Sequence, residues 1–240
     1  MMEEEQILNR FSKGLRDGIP IGLGYLSVSF TFGMMAVNSG LPVWVAVLIS
    51  MTCLTSAGQF AGLSLILTGG SLVEMALTQI VINLRYALMS LSLSQKLDAS
   101  VGKLSRLLIA FGNTDEIFAV AMGQKQDVGK RYFYGLMCAP YFMWAGGTLL
   151  GCVASGLLPE SVRSALGIAI YGMFIAIILP VAKHFRPVVA IVLLSAVLSC
   201  LFRYIPGLNQ VSGGFVIIIC AVVAAAVGAV VAPVDGGGRD

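Results

Sequence analysis

Eight apolar segments, separated by short polar connections, make up most of this chain. They are Asp17 to Val37, Val43 to Thr68, Leu72 to Leu93, Leu104 to Gly123, Tyr132 to Gly156, Val162 to Ala182, Pro187 to Phe202 and Val211 to Ala232. An α-helix needs about 20 predominantly apolar residues to cross a bilayer. Of the 240 residues, 58% are hydrophobic and 11% are charged, whereas a soluble domain usually carries about 25% charged residues. The sequence therefore predicts an all-α polytopic membrane protein.

Two of these segments contain polar residues near their centres. The segment from Val43 to Thr68 contains Thr55-Ser-Ala-Gly-Gln59, and the segment from Leu104 to Gly123 contains Asn113-Thr-Asp-Glu116. Hydrocarbon supplies no water to polar groups, so an irregular polar stretch at that depth needs protein or a wet cavity around it. Each of the two segments is long enough to cross and can also enter and leave on one side. We therefore expect about seven to eight membrane segments, with one or two broken or re-entrant helices.

The polar connections are too short to hold a separate soluble domain. Residues 1–16 are predicted to be a cytoplasmic N-terminal segment without a removable signal peptide. Residues 17–232 are predicted to form a single transmembrane transport domain, and residues 233–240 a disordered C-terminal tail. Lysine and arginine are more numerous in the connections on the side of the N-terminus, which places both termini in the cytoplasm. The net charge of +3 gives no indication of nucleic-acid binding.

The sequence carries no pattern typical of an enzyme, a metal site or a disulfide framework. Its five cysteines lie in apolar segments without C-x-x-C spacing. The one histidine, His184, lies in a basic connection, where a surface position is usual. No G-x-x-x-x-G-K-[ST] motif occurs, so we expect no ATP binding by this chain. We therefore predict neither a cofactor nor an enzymatic activity.

Polar residues of the second and third segments form the candidate substrate site. A helix that breaks within the membrane leaves unpaired N–H groups at the new N-terminus and unpaired carbonyls at the preceding C-terminus, and we predict such a break at Ser56–Gly58. The alternative is that these small residues form only a notch for close helix packing. Arg85 can bind a substrate carboxylate or pair with an acid of the protein itself. The candidate substrate-binding residues are Thr55, Ser56, Ala57, Gly58, Gln59, Asn83 and Arg85.

Asp115 and Glu116 are the candidate proton-coupling residues, because they are adjacent acids within an apolar segment that has basic flanks. A low dielectric favours the neutral form of a carboxylic acid, so a buried acid can bind and release a proton during transport. The alternative is a helix cap formed by Thr114, Asp115 and Glu116, in which the helix dipole stabilises the acids. The sequence leaves both interpretations open.

Five short motifs follow one another through the chain. They are Gly14-Leu-Arg-Asp-Gly-Ile-Pro20, Thr55-Ser-Ala-Gly-Gln-Phe60, Val81-Ile-Asn-Leu-Arg-Tyr86, Thr114-Asp-Glu116 and Gly156-Leu-Leu-Pro159. In this order they resemble the AzlC-type large subunit of bacterial branched-chain amino acid exporters. The resemblance extends over roughly residues 10 to 232. It departs after Gly167, where the family often has an acidic Asp-Phe-Ala element and this chain has Ile168-Ala-Ile-Tyr171.

The resemblance implies a heteromeric exporter of the bacterial inner membrane that works with a small AzlD-type membrane subunit. The expected function is that of a secondary transporter subunit, coupled to protons, for branched-chain and similar apolar amino acids. The alternative is a passive channel or pore for small solutes, in which the breaks form the constriction. We also expect the second subunit to pack on one of three small-residue faces. They are Gly18/Gly22, Gly147/Gly151/Ser155 and Ala224/Gly228/Ala232.

Overall fold

The computed structural model of the protein describes residues 9–98, 101–159 and 185–231, with positions 161–162, 165, 175, 179 and 182–183 between the last two ranges. Within this described part the chain forms nine α-helices, a short 3-10 turn and no strand. The helices are α1 (Phe11–Asn38), α2 (Val43–Thr52), α3 (Ser56–Thr68), α4 (Leu72–Ser94), α5 (Lys103–Phe111), α6 (Asp115–Met122), α7 (Lys130–Ala154), α8 (Arg186–Tyr204) and α9 (Gly213–Val231). The predicted all-α fold is confirmed.

Five of the described helices are long and apolar enough to cross a membrane, namely α1, α4, α7, α8 and α9. Two other predicted segments are each divided into a pair of short helices, α2 with α3 and α5 with α6. The remaining predicted segment, Val162 to Ala182, lies mostly outside the described residues, as does His184. The prediction of a multi-pass helical protein with broken segments is thus confirmed. The predicted number of seven to eight membrane segments is not.

The helices group into two compact units, which are described separately. The first unit holds α1, α2, the start of α3 up to Phe60, the part of α4 from Asn83 onward, and α5, α6 and α7. The second unit holds the stretch from Ala61 to Ile82 together with α8 and α9.

The first unit is built on close packing between α1 and α7. A Cβ atom at Gly18 would overlap the carbonyl oxygen of Leu136 on α7. A Cβ atom at Gly151 would overlap the backbone of Phe30 on α1. Only glycine permits so close an approach of two helix backbones. Gly18 and Gly22 of α1 thus pack on the part of α7 around Leu136 and Ala139, and Gly147 and Gly151 of α7 pack on the part of α1 around Leu26 and Phe30. Both small-residue faces have contacts within the chain, and the packing of a second subunit stays a prediction.

An apolar cluster beside this helix pair anchors the short helices α5 and α6. Ile109 of α5 and Ile117 of α6 are both almost fully buried. The cluster also holds further residues of α4, α6, α7 and of the connections between helices, namely Leu93, Leu97, Val101, Ala121, Val128, Tyr132, Phe133 and Leu136. A single short helix buries too little surface to be stable alone, so this packing positions both halves of the broken segment.

In the second unit, Glu74 of α4 lies at the N-terminus of α9. Its carboxylate accepts hydrogen bonds from the Ser212 hydroxyl and from the Gly214 N–H, the latter at 2.8 Å. Unpaired N–H groups and the helix dipole favour an acid at this end of a helix. Further along α9, Gly228 lies against Ile191 of α8. The third small-residue face thus also has a contact within the chain, although its last member, Ala232, lies outside the described residues.

Candidate functional site

The second apolar segment breaks between α2 and α3. The helix ends at Thr52, Cys53 adopts an extended conformation, and α3 begins at Ser56. The Thr55 carbonyl accepts the Gln59 N–H at 2.9 Å, which makes Thr55 the residue that starts α3. The break thus lies at residues 53–55. The sequence-based prediction placed it at Ser56–Gly58, which instead form the first turn of α3 and contribute its unpaired N–H end.

Two aromatic side chains of α7 hold the carbonyl groups at the end of α2. The Tyr141 hydroxyl donates to the Met51 carbonyl, and the Trp144 indole N–H donates to the Cys53 carbonyl, each at 3.2 Å. Trp144 is only 2% exposed, and its ring meets the edge of Tyr25 on α1 with the centroids 5.2 Å apart. Carbonyls at the end of a helix lack intrahelical donors. These aromatic residues therefore stabilise the break from the side of α7.

The fourth apolar segment breaks in a similar way between α5 and α6. Helix α5 ends at Phe111, and α6 begins at Asp115. Thr114 is the N-cap of α6, and its hydroxyl oxygen accepts the Ile117 N–H at 3.4 Å. Asp115 and Glu116 occupy the first turn, where the helix dipole favours acids. The cap that the sequence offered as one interpretation of these residues is present.

Both breaks line one cavity of about 210 Å³. One water molecule needs only about 10–15 Å³ measured in this way, so the cavity has room for several waters or a small solute. Its walls come from the two breaks and from α4, with polar and apolar side chains interleaved. The lining residues are Thr52, Cys53, Leu54, Thr55, Asn83, Tyr86, Ala110, Phe111, Asn113 and Thr114.

The predicted substrate-binding residues separate into those on this cavity and those behind it. Thr55 and Asn83 both line it, and the Thr55 hydroxyl donates to the Asn83 side-chain oxygen at 2.8 Å. Ser56, Ala57 and Gly58 follow directly as the first turn of α3. The structure thus brings five of the seven predicted residues to one end of α3 and the adjoining part of α4.

Gln59 is buried in a polar network behind the break. It is 1% exposed, and its side-chain nitrogen donates to the Ser50 hydroxyl at 2.8 Å. The Ser50 hydroxyl lies 2.7 Å from that of Thr148, which in turn donates to the Trp144 carbonyl. Because Thr148 uses its proton in that bond, Ser50 is the donor between the two hydroxyls. Gln59 therefore joins α3 to α2 and α7.

Arg85 pairs with an acid of the protein itself. One guanidinium nitrogen lies 2.7 Å from Asp115 Oδ2, and another donates to the Tyr86 hydroxyl at 3.1 Å. The side chains of Arg85 and Asp115 are each about half exposed. Of the two roles that the sequence left open for Arg85, this structure contains the internal ion pair. Through Tyr86, the pair adjoins the cavity.

Glu116 has a different partner from its neighbour. The Tyr25 hydroxyl lies 2.5 Å from Glu116 Oε2 and 2.6 Å from the Thr114 hydroxyl oxygen. Tyr25 is buried within α1, whereas the Glu116 side chain remains exposed. The two adjacent candidate proton-coupling acids are thus held by different helices, Asp115 by α4 and Glu116 by α1.

Sequence reasoning missed four residues that shape the site. Tyr86 and Asn113 line the cavity, and the Asn113 side-chain nitrogen donates to Ser90 at 3.3 Å. Asn113 carried a signal, since it opens a polar stretch inside an apolar segment. The sequence allows Trp144 either as a cavity wall or as an interfacial anchor, and Tyr25 carried no signal. Only the packing of α1, α6 and α7 shows what the two residues contact.

The fold and the cavity define a multi-pass helical membrane protein with two broken segments that meet at a cavity of mixed polar and apolar lining. A family model described as AzlC protein matches residues 20–158, a range that contains both breaks and every residue lining the cavity. The chain belongs to the AzlC family, as the resemblance indicated. No solved structure matches the chain significantly.

Similar proteins occur in bacteria and archaea. An uncharacterized membrane protein of Archaeoglobus fulgidus is 36% identical over 75% of this chain and 80% of its own length. The inner membrane protein YgaZ of Escherichia coli is 31% identical over 70% of this chain and 72% of its own length. An uncharacterized membrane protein of Helicobacter pylori is 28% identical over 60% and 65%, respectively. These names agree with a multi-pass membrane location.

Proposed function

We propose that this protein is a secondary transporter subunit that exports branched-chain and similar apolar amino acids. The observation that carries the proposal is the meeting of two broken membrane segments at one cavity. Broken helices are where secondary transporters present backbone groups to a substrate. We place the protein in the bacterial inner membrane with both termini in the cytoplasm, working with a small AzlD-type membrane subunit.

The cavity offers the groups that an apolar amino acid requires. The substrate carboxylate is suited to the positive end of the α3 dipole, which begins directly after Thr55 on the cavity wall. The ammonium group is suited to acceptors such as the Asn113 side chain and the carbonyls of the break. Leu54, Ala110 and Phe111 supply apolar surface for the side chain. A zwitterion with an aliphatic side chain thus finds a complement for each of its three parts.

Proton coupling is assigned to one of the two acids at the start of α6. Asp115 and Glu116 lie directly after Thr114, which lines the cavity. A carboxyl group beside a substrate site can exchange a proton as the site opens to either side of the membrane. The chain carries no phosphate-binding motif for ATP, so we expect an ion gradient to drive export against a concentration difference.

Uptake of labelled leucine, valine and methionine into inverted membrane vesicles tests the proposal. Inverted vesicles turn export into uptake, so vesicles that contain this chain and its small partner should accumulate these amino acids when the lumen is acidified. Vesicles without the chain are the control. Vesicles that contain the chain without its small partner test whether uptake requires both subunits. Saturable, gradient-dependent accumulation is expected, whereas equilibration without saturation would identify a passive pore.

A further inference from the structure

The adjacent acids Asp115 and Glu116 lie in different electrostatic surroundings. Asp115 is 2.7 Å from the Arg85 guanidinium. Glu116 bonds to the Tyr25 hydroxyl, which carries no charge. Two neighbouring carboxylates disfavour simultaneous ionisation, and a cation beside one of them keeps that one charged. Within the described residues, Asp115 is thus the acid engaged in an ion pair, and Glu116 is the acid held by a neutral hydroxyl.

We propose that Glu116 is the residue that carries the coupling proton, and that Tyr25 and Trp144 transmit its protonation state to the broken segment at Cys53. The proposal rests on the transport function proposed above and assigns that function's coupling step to one acid. A proton binds a carboxylate oxygen of Glu116 from the outer side and leaves the same oxygen on the cytoplasmic side. No other covalent bond forms or breaks.

The groups around Glu116 support this division of roles. The Tyr25 hydroxyl of α1 bonds to Glu116, and Asp115 precedes it on its own helix. Tyr86 of α4 accepts a hydrogen bond from Arg85. Arg85 of α4 is engaged with Asp115. On the remaining side, α7 presents to Tyr25 the indole of Trp144, which does not titrate. The exposed Glu116 side chain remains able to exchange protons with water.

A series of direct contacts leads from Glu116 to the cavity wall. The Tyr25 hydroxyl has a single proton, which it donates to an ionised Glu116 while the Thr114 hydroxyl lies 2.6 Å away. When Glu116 is protonated, the Tyr25 proton becomes available to Thr114 instead. The Tyr25 ring contacts Trp144, whose N–H holds the Cys53 carbonyl. A change at the carboxyl group is thereby passed to a residue that lines the cavity.

Tyr25 is a positioning residue in this scheme. It contacts the Glu116 carboxyl group and the Trp144 ring, whose N–H holds the Cys53 carbonyl, but it does not line the cavity. Replacement of its hydroxyl removes a donor that stabilises the ionised form of Glu116. The aromatic ring, which packs on Trp144, is retained in phenylalanine. The effect on coupling can therefore be separated from the effect on packing.

The experiment compares leucine counterflow without a gradient and gradient-driven uptake, over a series of pH values, in vesicles containing the chain and its small partner. Glu116→Gln should retain counterflow, lose its pH dependence, and reduce gradient-driven uptake to the level of empty vesicles. Glu116→Asp, which keeps a carboxyl group, should restore a pH dependence. Tyr25→Phe should shift the midpoint of the pH dependence to higher pH, whereas Ser27→Ala, which removes an exposed hydroxyl from the same helix, should not.

The matched comparison is Asp115→Asn. The proposal requires that counterflow keep its pH dependence in Asp115→Asn and lose it in Glu116→Gln, and any other pattern overturns it. Should Glu116→Gln fail to insert, a midpoint unchanged in Tyr25→Phe overturns the proposal independently. Absence of counterflow in the unmodified protein would instead refute the transport function itself, so that the two failures are distinguishable.

Discussion

Thr55 at the first break donates a hydrogen bond of 2.8 Å to the side-chain oxygen of Asn83 on α4. The bond joins the start of α3 to a helix that is continuous through this region, and both residues line the cavity. A hydroxyl at this position therefore serves two purposes. It begins a helix, and it fixes the cavity-facing amide of Asn83 in one orientation.

Thr55→Val tests this bond with little change in side-chain shape. The loss of one hydrogen bond costs about 1 kcal/mol, which corresponds to about fivefold in the efficiency of leucine transport. Thr68→Val is the matched control, because the Thr68 hydroxyl bonds only to the backbone of its own helix and is exposed. Counterflow kinetics in vesicles should show a reduction for Thr55→Val alone. Equal kinetics for the two variants would remove Thr55 from the site.

The contact between α1 and α7 leads to a prediction about stability. A methyl group at Gly151 would overlap the backbone of Phe30, whereas a methyl group at Gly146 would meet no atom within 4 Å among the described residues. Overpacking against a backbone costs about 1–3 kcal/mol, so Gly151→Ala should lower the melting temperature in detergent. Gly146→Ala should leave it unchanged or raise it, because alanine favours a helix over glycine by about 1 kcal/mol. Identical melting temperatures would contradict the packing described here.

The positions of the long helices were predictable because hydropathy alone determines them. Helices α1, α4, α7, α8 and α9 follow the apolar segments closely, since a chain in hydrocarbon must satisfy its backbone groups internally. The existence of both breaks was predictable for the same reason, because Thr55–Gln59 and Asn113–Glu116 place polar groups where a continuous lipid-facing helix does not tolerate them. The exact residues of the first break were not, since its geometry depends on bonds from Tyr141 and Trp144.

The partners of the polar residues could not be predicted, because they depend on which helices meet. Glycine spacing indicated close packing for Gly18 and Gly151 but could not say that Gly18 packs on α7 and Gly151 on α1. Arg85 had two chemically equal alternatives, and only the approach of α6 to α4 distinguishes them. Gln59 was predicted for the substrate site because a large amide is costly in a membrane. A buried network with Ser50 and Thr148 satisfies the nitrogen of this amide, whereas its oxygen has no hydrogen-bond partner among the described residues.

Glu74 is expected to stabilise the second unit. Glu74→Ala leaves the Ser212 hydroxyl and the Gly214 N–H without their acceptor, and an unsatisfied buried group costs about 1–3 kcal/mol. Glu74→Gln keeps a side-chain oxygen and should lose less. Thermal unfolding in detergent should therefore rank the alanine variant below the glutamine variant, and both below the unmodified protein. A glutamine variant as unstable as the alanine variant would show that the charge, and not the hydrogen bonds, matters.

Cys53, whose carbonyl accepts the hydrogen bond from Trp144, provides a natural thiol on the cavity wall. Cys53 lines the cavity, whereas Cys152 is buried and bonds through its sulfur to the Gly33 carbonyl. A thiol must reach water to react as the thiolate. A variant that retains only Cys53 of the five cysteines therefore reports on the cavity. A variant that retains only Cys152 reports on the packing of α1 and α7.

A small water-soluble maleimide should modify Cys53 in membrane vesicles and leave Cys152 unmodified, with the mass shift of the intact protein as the measurement. Leucine should slow the reaction at Cys53, since a bound solute occupies the cavity whose wall contains the thiol. Trp144→Phe should accelerate it, because phenylalanine retains an aromatic ring but has no N–H to hold the Cys53 carbonyl. If leucine does not change the reaction rate at Cys53, the cavity is not the site at which leucine binds. A rate unchanged by Trp144→Phe would show that the indole does not hold the break.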